Sequence, residues 1–164
     1  MTETPSSRST LDVNGLYILL SDRGGLSYLF HWGFYLHQSE KSGFIHHLVN
    51  HPGSSEWVCL TQPSEEVVAS PTFLAALKVG DLEPILHQPL GERLHRIPIC
   101  HSTRFHEDIT CRVWLKEALF ALDDEGYIKL VKSVGDIEEE AKHLATRNKS
   151  LGRRTIALSG GSIA

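Results

Sequence analysis

Cysteine is scarce in this sequence and does not come in pairs. Cys59, Cys100 and Cys111 form no even set and no CxxC motif, which excludes a disulfide framework and points to free thiols in a reducing compartment. No apolar run approaches the roughly 20 residues needed to span a membrane as a helix. Residues 1–10 are rich in Ser, Thr and Pro and lack the apolar core of a signal peptide, so a cytoplasmic location is expected. Basic charge is not in excess either: 16 Lys and Arg stand against 20 Asp and Glu, a formal net charge of −4. That balance argues against a nucleic-acid surface spread over the whole protein, and Arg147, Lys149, Arg153 and Arg154 make the one basic tract.

The 164 residues, 41% hydrophobic and 22% charged, suit one globular domain with a core of its own. The expected organisation is a disordered arm over 1–10, a single α+β domain over 11–151 and a flexible tail over 152–164, where Gly160-Gly161 marks a loose end. Leu16-Tyr17-Ile18-Leu19-Leu20 reads as a buried strand closed by a turn. The aromatic run over 28–37 and the run over 44–49, joined by a short polar loop, read as an antiparallel hairpin. Trp57-Val58-Cys59-Leu60 is a third strand. Ser70-Pro71 signals a short helix over 72–78, with proline at the first helical position. Residues 79–92, broken by Pro84, Pro89 and Gly91, are expected as loop with at most one helical turn, and 93–100 as an edge strand because of Pro98. A helix from Gly135-Asp136, acidic at its start and basic at its end, carries a narrow apolar stripe at Ile137, Ala141, Leu144 and Ala145.

Cys111 opens another helix. Asp108 and Thr110 can cap it, apolar residues recur at Val113, Trp114, Leu115, Ala118, Leu119 and Leu122, and Gly126 supplies the stop. A thiol in a first helical turn meets unpaired backbone N–H groups and the positive end of the helix dipole, which favour thiolate and suit a nucleophile. A buried structural cysteine is the competing reading.

Ten histidines invite a metal, yet their spacing matches no usual zinc motif: there is no HExxH and no Cys–His finger pattern, so neither metal nor cofactor is expected. Alternation along the first hairpin strand gives a better use for them. His31, Gly33 and Tyr35 share one face; Phe30, Trp32, Phe34 and Leu36 share the other, which is core. On the partner strand either His46 or His47 must join His31, according to a register the loop does not fix. His37, His51, His87, His95, His101, His106 and His143 are read as incidental. If the Cys111 helix packs across the histidine face, a nucleophile, a base and an orienting group come together, as cysteine acyl transfer requires.

Phe30-His31-Trp32-Gly33-Phe34-Tyr35-Leu36 resembles the HWxxYx strand of the lecithin:retinol acyltransferase branch of circularly permuted papain-like enzymes, a group that includes the NlpC-like proteins. Ile45-His46-His47-Leu48 resembles the branch's VHL strand. The resemblance implies a permuted papain-like fold, an antiparallel sheet against a Cys-bearing helix. It implies His31 as base, His47 as orienting residue and Cys111 as nucleophile, with acyl transfer or hydrolysis through a thioester. Tyr35, Trp114 and His46 are then candidate substrate contacts. Thr110-Cys111-Arg112-Val113-Trp114 departs from the NCEHF-like motif of that branch. The Cys-Arg-x-Trp helix closed by Asp-Glu-Gly-Tyr is similar to small fungal proteins, a group to which arginine-containing cyclodipeptide synthases of biosynthetic clusters are assigned. That similarity implies an aminoacyl-tRNA donor. Beside these stand two other functions: a histidine acid/base isomerase or cyclase, in which His31 matters and Cys111 does not, and a non-catalytic binding or scaffold protein.

Overall fold

The computed structural model describes residues 7–8 and 10–163. Seven strands form one mixed sheet: β1 (Ser7–Arg8), β2 (Gly15–Asp22), β3 (Phe30–His37), β4 (Ser42–Asn50), β5 (Trp57–Glu65), β6 (Phe73–Asp81) and β7 (Thr155–Leu158). Their spatial order is β1-β7-β6-β2-β3-β4-β5; β6 and β7 are parallel and the other pairs antiparallel. Three helices, α1 (His87–His95), α2 (Cys111–Asp124) and α3 (Val134–Leu151), complete an α+β fold.

Alternation along the strands builds the two faces. Leu16, Ile18 and Leu20 of β2, Trp32, Phe34 and Leu36 of β3 and Leu77 and Val79 of β6 form the main core with Leu90 and Leu94 of α1, Trp114, Leu115 and Leu119 of α2 and Ile137 and Leu144 of α3. The intervening residues Tyr17, Leu19, Tyr35, Phe73, Ala76 and Ile156 make a smaller cluster on the opposite face. Val67, in the 3-10 turn Val67–Ala69, covers part of that cluster. The helices thus layer one face and leave much of the other to the β5–β6 connection.

The caps follow the sequence signals. The Thr110 hydroxyl accepts from Val113 N at 3.2 Å and opens α2; Gly126, at φ +85°, lets the chain reverse after it. The Ser133 hydroxyl opens α3 in the same way, and Gly152 closes it in the left-handed conformation.

Four local expectations are corrected. The segment expected as helix over 72–78 is strand from Phe73 on: Phe73 to Gly80 are buried without interruption because β6 lies between β2 and β7 and against apolar side chains on both faces, and such a run carries no period to separate strand from helix. Ser70 caps a turn instead, its carbonyl taking the N–H of Phe73 at 3.1 Å. Residues 87–95 are helical because Pro89 falls in the first turn, where a missing N–H breaks no helical bond. The same helix consumes the start of the segment expected as an edge strand, and the rest of 93–100 is not strand. The expected tail contributes β7, whose Ile156 and Ala157 are buried in the sheet. The expected arm lies mostly outside the described residues, of which Ser7 and Arg8 pair with β7.

Candidate active site

The β3–β4 register sets Phe34 against His46 and Tyr35 against Ile45. His47 therefore lies on the face of His31, and His46 on the helix face. His31 Nε2 and His47 Nδ1 are 2.7 Å apart, and His47 Nε2 lies 2.6 Å from Gln62 Oε1 on β5. A carboxamide oxygen can only accept, so His47 carries its proton on Nε2 and donates it to Gln62. Its Nδ1 is then a lone pair that accepts from His31 Nε2–H, and His31 Nδ1 is left as a bare lone pair. Among the described residues the one fully enclosed side-chain nitrogen or oxygen without a partner is Trp114 Nε1, so His31 Nδ1 is within reach of solvent.

His31 and His47 line a cleft of about 540 Å³ with Asp22, Glu66, Ser70 and Phe73. Its far wall is pinned from β7's approach: both Nη atoms of Arg154 donate to carbonyls of that connection, Val68 O at 3.2 Å and Pro71 O at 3.4 Å. Asp22 is held by Lys149 at 2.8 Å. Burial, then the His47 ring and the Arg23 charge, push His31 down to about 4; burial lowers His47 as well, against the opposing Gln62 hydrogen bond. Both rings are neutral at neutral pH.

Gly33 makes the pair possible. A Cβ there would stand 2.9 Å from His47 Cβ and 3.3 Å from the His46 carbonyl, so only glycine lets β4 bring His47 this close. Gly33→Ala is expected to cost about 1–3 kcal/mol of stability as an overpacking change and to separate the two rings. Denaturant unfolding and histidine-selective ¹⁵N NMR read the two effects; an unchanged His31–His47 hydrogen bond would refute the steric account.

The neutral histidines also couple stability to acid. His31 and His46, each pushed down to about 4 mainly by burial, bind a proton more readily in the unfolded chain, where the ordinary value is about 6.5. Their contribution is complete above pH ~6.5 and declines as pH falls from there to about 4. Chemical denaturation across that window should give falling midpoints, and the His31→Gln variant should show a shallower decline.

The structure brings together His31 and His47 but not Cys111, which corrects the expected three-residue arrangement. Cys111 is 3% exposed and belongs to the helix-side core with Trp32 and Phe34; the sheet separates it from the histidine pair. Trp114, expected as a substrate contact, is fully enclosed, its ring set edgewise on Phe34 with centroids 6.0 Å apart. Tyr35 shares the His31 face but is also fully buried, its hydroxyl 2.8 Å from His37 Nδ1. His46 lines a different cavity, between β4, β5 and α1. Sequence reading missed Gln62, Thr61 and His95. The signal for the first two was the dipeptide Thr61-Gln62 on a strand neighbouring His46-His47, one member for each face; nothing local singled out His95.

Among the described residues no three or more His, Cys, Asp or Glu side chains are grouped to hold a metal ion, and no helix is long and apolar enough to cross a membrane. Comparison with protein-family models, with curated proteins and with solved structures finds no match.

Proposed function

We propose that this chain is an acid/base catalyst of the isomerase or cyclase type, acting through His31 with His47 as its partner. The observation that carries the reading is the chain Gln62–His47–His31, which ends in an unpartnered His31 Nδ1 on an open cleft. The orienting residue fixes the tautomer of the base, as in other two-group relays.

In this reading His31 Nδ1 removes a proton from the substrate. The resulting imidazolium passes its Nε2 proton to His47 Nδ1, and the charge settles on a ring whose remaining N–H is already held by Gln62. His47 then hands the proton back to His31 Nε2 as His31 Nδ1 gives its proton to a different substrate atom, which completes an isomerisation or ring closure with no net consumption of protons. A base whose conjugate acid is this strong is a weak acceptor but a ready donor, which favours the reprotonation half of the cycle.

A permuted papain-like acyltransferase, or an aminoacyl-tRNA-dependent cyclodipeptide synthase working through a thioester, needs its thiol beside its base. With the sheet between Cys111 and His31, the histidine pair is the better-supported centre. The test is proton exchange: the wild-type protein is incubated in D₂O with a panel of small ketones, aldehydes and 1,3-dicarbonyls, and loss of the α-proton signal is followed by NMR. Exchange faster than in buffer for at least one class is expected, and exchange at the buffer rate throughout would sink the proposal.

A further inference from the structure

The helix-side cavity, about 800 Å³ in size, falls within the range of small-molecule sites, and a second histidine chain lies on its wall. His46 Nδ1 is 2.8 Å from Thr61 Oγ1, and the same oxygen is 2.8 Å from His95 Nε2. A threonine hydroxyl has one proton to give, so it donates to one ring and accepts from the other. Two tautomeric states follow. In the first, His46 Nδ1–H donates to Thr61, Thr61 donates to His95 Nε2, and His46 Nε2 is a bare base. In the second every proton has moved one step, so that His46 Nε2 carries a proton and His95 Nδ1 is bare. His46 is 4% exposed and sits so close to α1 that a Cβ on Gly91 would stand 3.3 Å from its Cε1, whereas His95 lies on the exposed side of the same helix. His95 also lines the cavity, so the chain joins an enclosed point of its wall to one open to the surface. The neighbouring His87 has both nitrogens occupied, by Leu82 O and Gln38 Nε2, and takes no part.

We propose that this cavity is a second, separate ligand site, and that it takes a small ammonium ion with an apolar substituent, whose N–H donates to His46 Nε2. Leu36 and Phe44 offer the apolar surface. The one carboxylate on its lining is Glu92, and there is no Lys or Arg among the rest; an anion finds neither lysine nor arginine there, and an ammonium group finds a carboxylate and an imidazole. No proton leaves the ammonium: R–NH₃⁺ donates a hydrogen bond to the bare His46 Nε2, which fixes His46 Nδ1–H on Thr61 and Thr61 O–H on His95 Nε2. The site thus binds the amine in its charged form and selects the first tautomer.

The test uses the full chain, ¹⁵N-labelled at histidine, with benzylamine, benzyl alcohol and benzoate as probes of equal bulk and different charge. Benzylamine is expected to move both rings saturably to the tautomer protonated on Nδ1, with a Kd in the millimolar range or tighter, while benzoate leaves both unmoved. Thr61→Val keeps the shape on a β-strand and removes the hydroxyl, so the His46 tautomer should still follow benzylamine and the His95 tautomer should not. His46→Gln should abolish the tautomer change at His95. The proposal is overturned if none of the probes binds, if benzoate or benzyl alcohol binds as tightly as benzylamine, or if the His95 tautomer still follows the ligand in Thr61→Val.

Discussion

Replacing His31 by alanine should lower the rate of α-proton exchange by roughly two to four orders of magnitude, the usual contribution of a positioned general base, while Cys111→Ala leaves that rate unchanged. The contrast follows from the sheet. His31 Nδ1 is the group open to the cleft, and Cys111 is enclosed behind Trp32 and Phe34 on the other side. Cys111→Ala should instead cost about 1 kcal/mol or somewhat more, the loss expected for trimming a small side chain from a packed core. Measuring both variants in one exchange assay, with unfolding titrations alongside, separates the two roles. If the cysteine variant loses exchange and the histidine variant keeps it, the assignment of the centre is reversed.

Trp114→Ala should have the largest effect on stability, about 3–5 kcal/mol by denaturant unfolding, as for other large aromatic truncations in cores. Trp114 is fully enclosed, lies in the first turn of α2 and packs edgewise on Phe34 of β3. Its removal takes away the main anchor between helix layer and sheet. Trp114→Phe should cost much less, for a reason beyond volume: the indole N–H has no hydrogen-bond partner, and a buried donor left unpaired carries a penalty of its own, typically about 1–3 kcal/mol. Phenylalanine leaves a smaller cavity and relieves that penalty. Equal losses for the two variants would show that the indole nitrogen contributes nothing to the balance.

The hairpin was legible because Phe30, Trp32, Phe34 and Leu36 take every second position, with His31, Gly33, Tyr35 and His37 between them, and the caps of α2 and α3 were legible because Thr110 and Ser133 bond as their residue types suggest. The same alternation also decides where α2 packs. The aromatic face of β3 required a layer to bury it, and α2 is part of that layer, so Cys111 follows the aromatics and ends opposite His31. Strand β6 was opaque because a run apolar on both faces has no period. Helix α1 was hidden by Pro89 and Gly91, residues that usually break helices but here sit at a first turn and at a close approach to His46. Gln62 and Thr61 were missed because the expected strand ends at Leu60, whereas β5 runs on through Pro63 to Glu65. As the outermost strand, β5 needs only one partner, so a proline there interrupts no second ladder.

That outermost position has a further consequence. Gln62 orients the first histidine chain and Thr61 links the second, and both stand on the strand with a neighbour on one side only. Edge strands open locally at a free energy below that of global unfolding. A brief detachment of β5 would release both imidazole relays at once while the helix-packed core stays folded, so the two centres share one fuse and both would fall silent on warming before the protein melts.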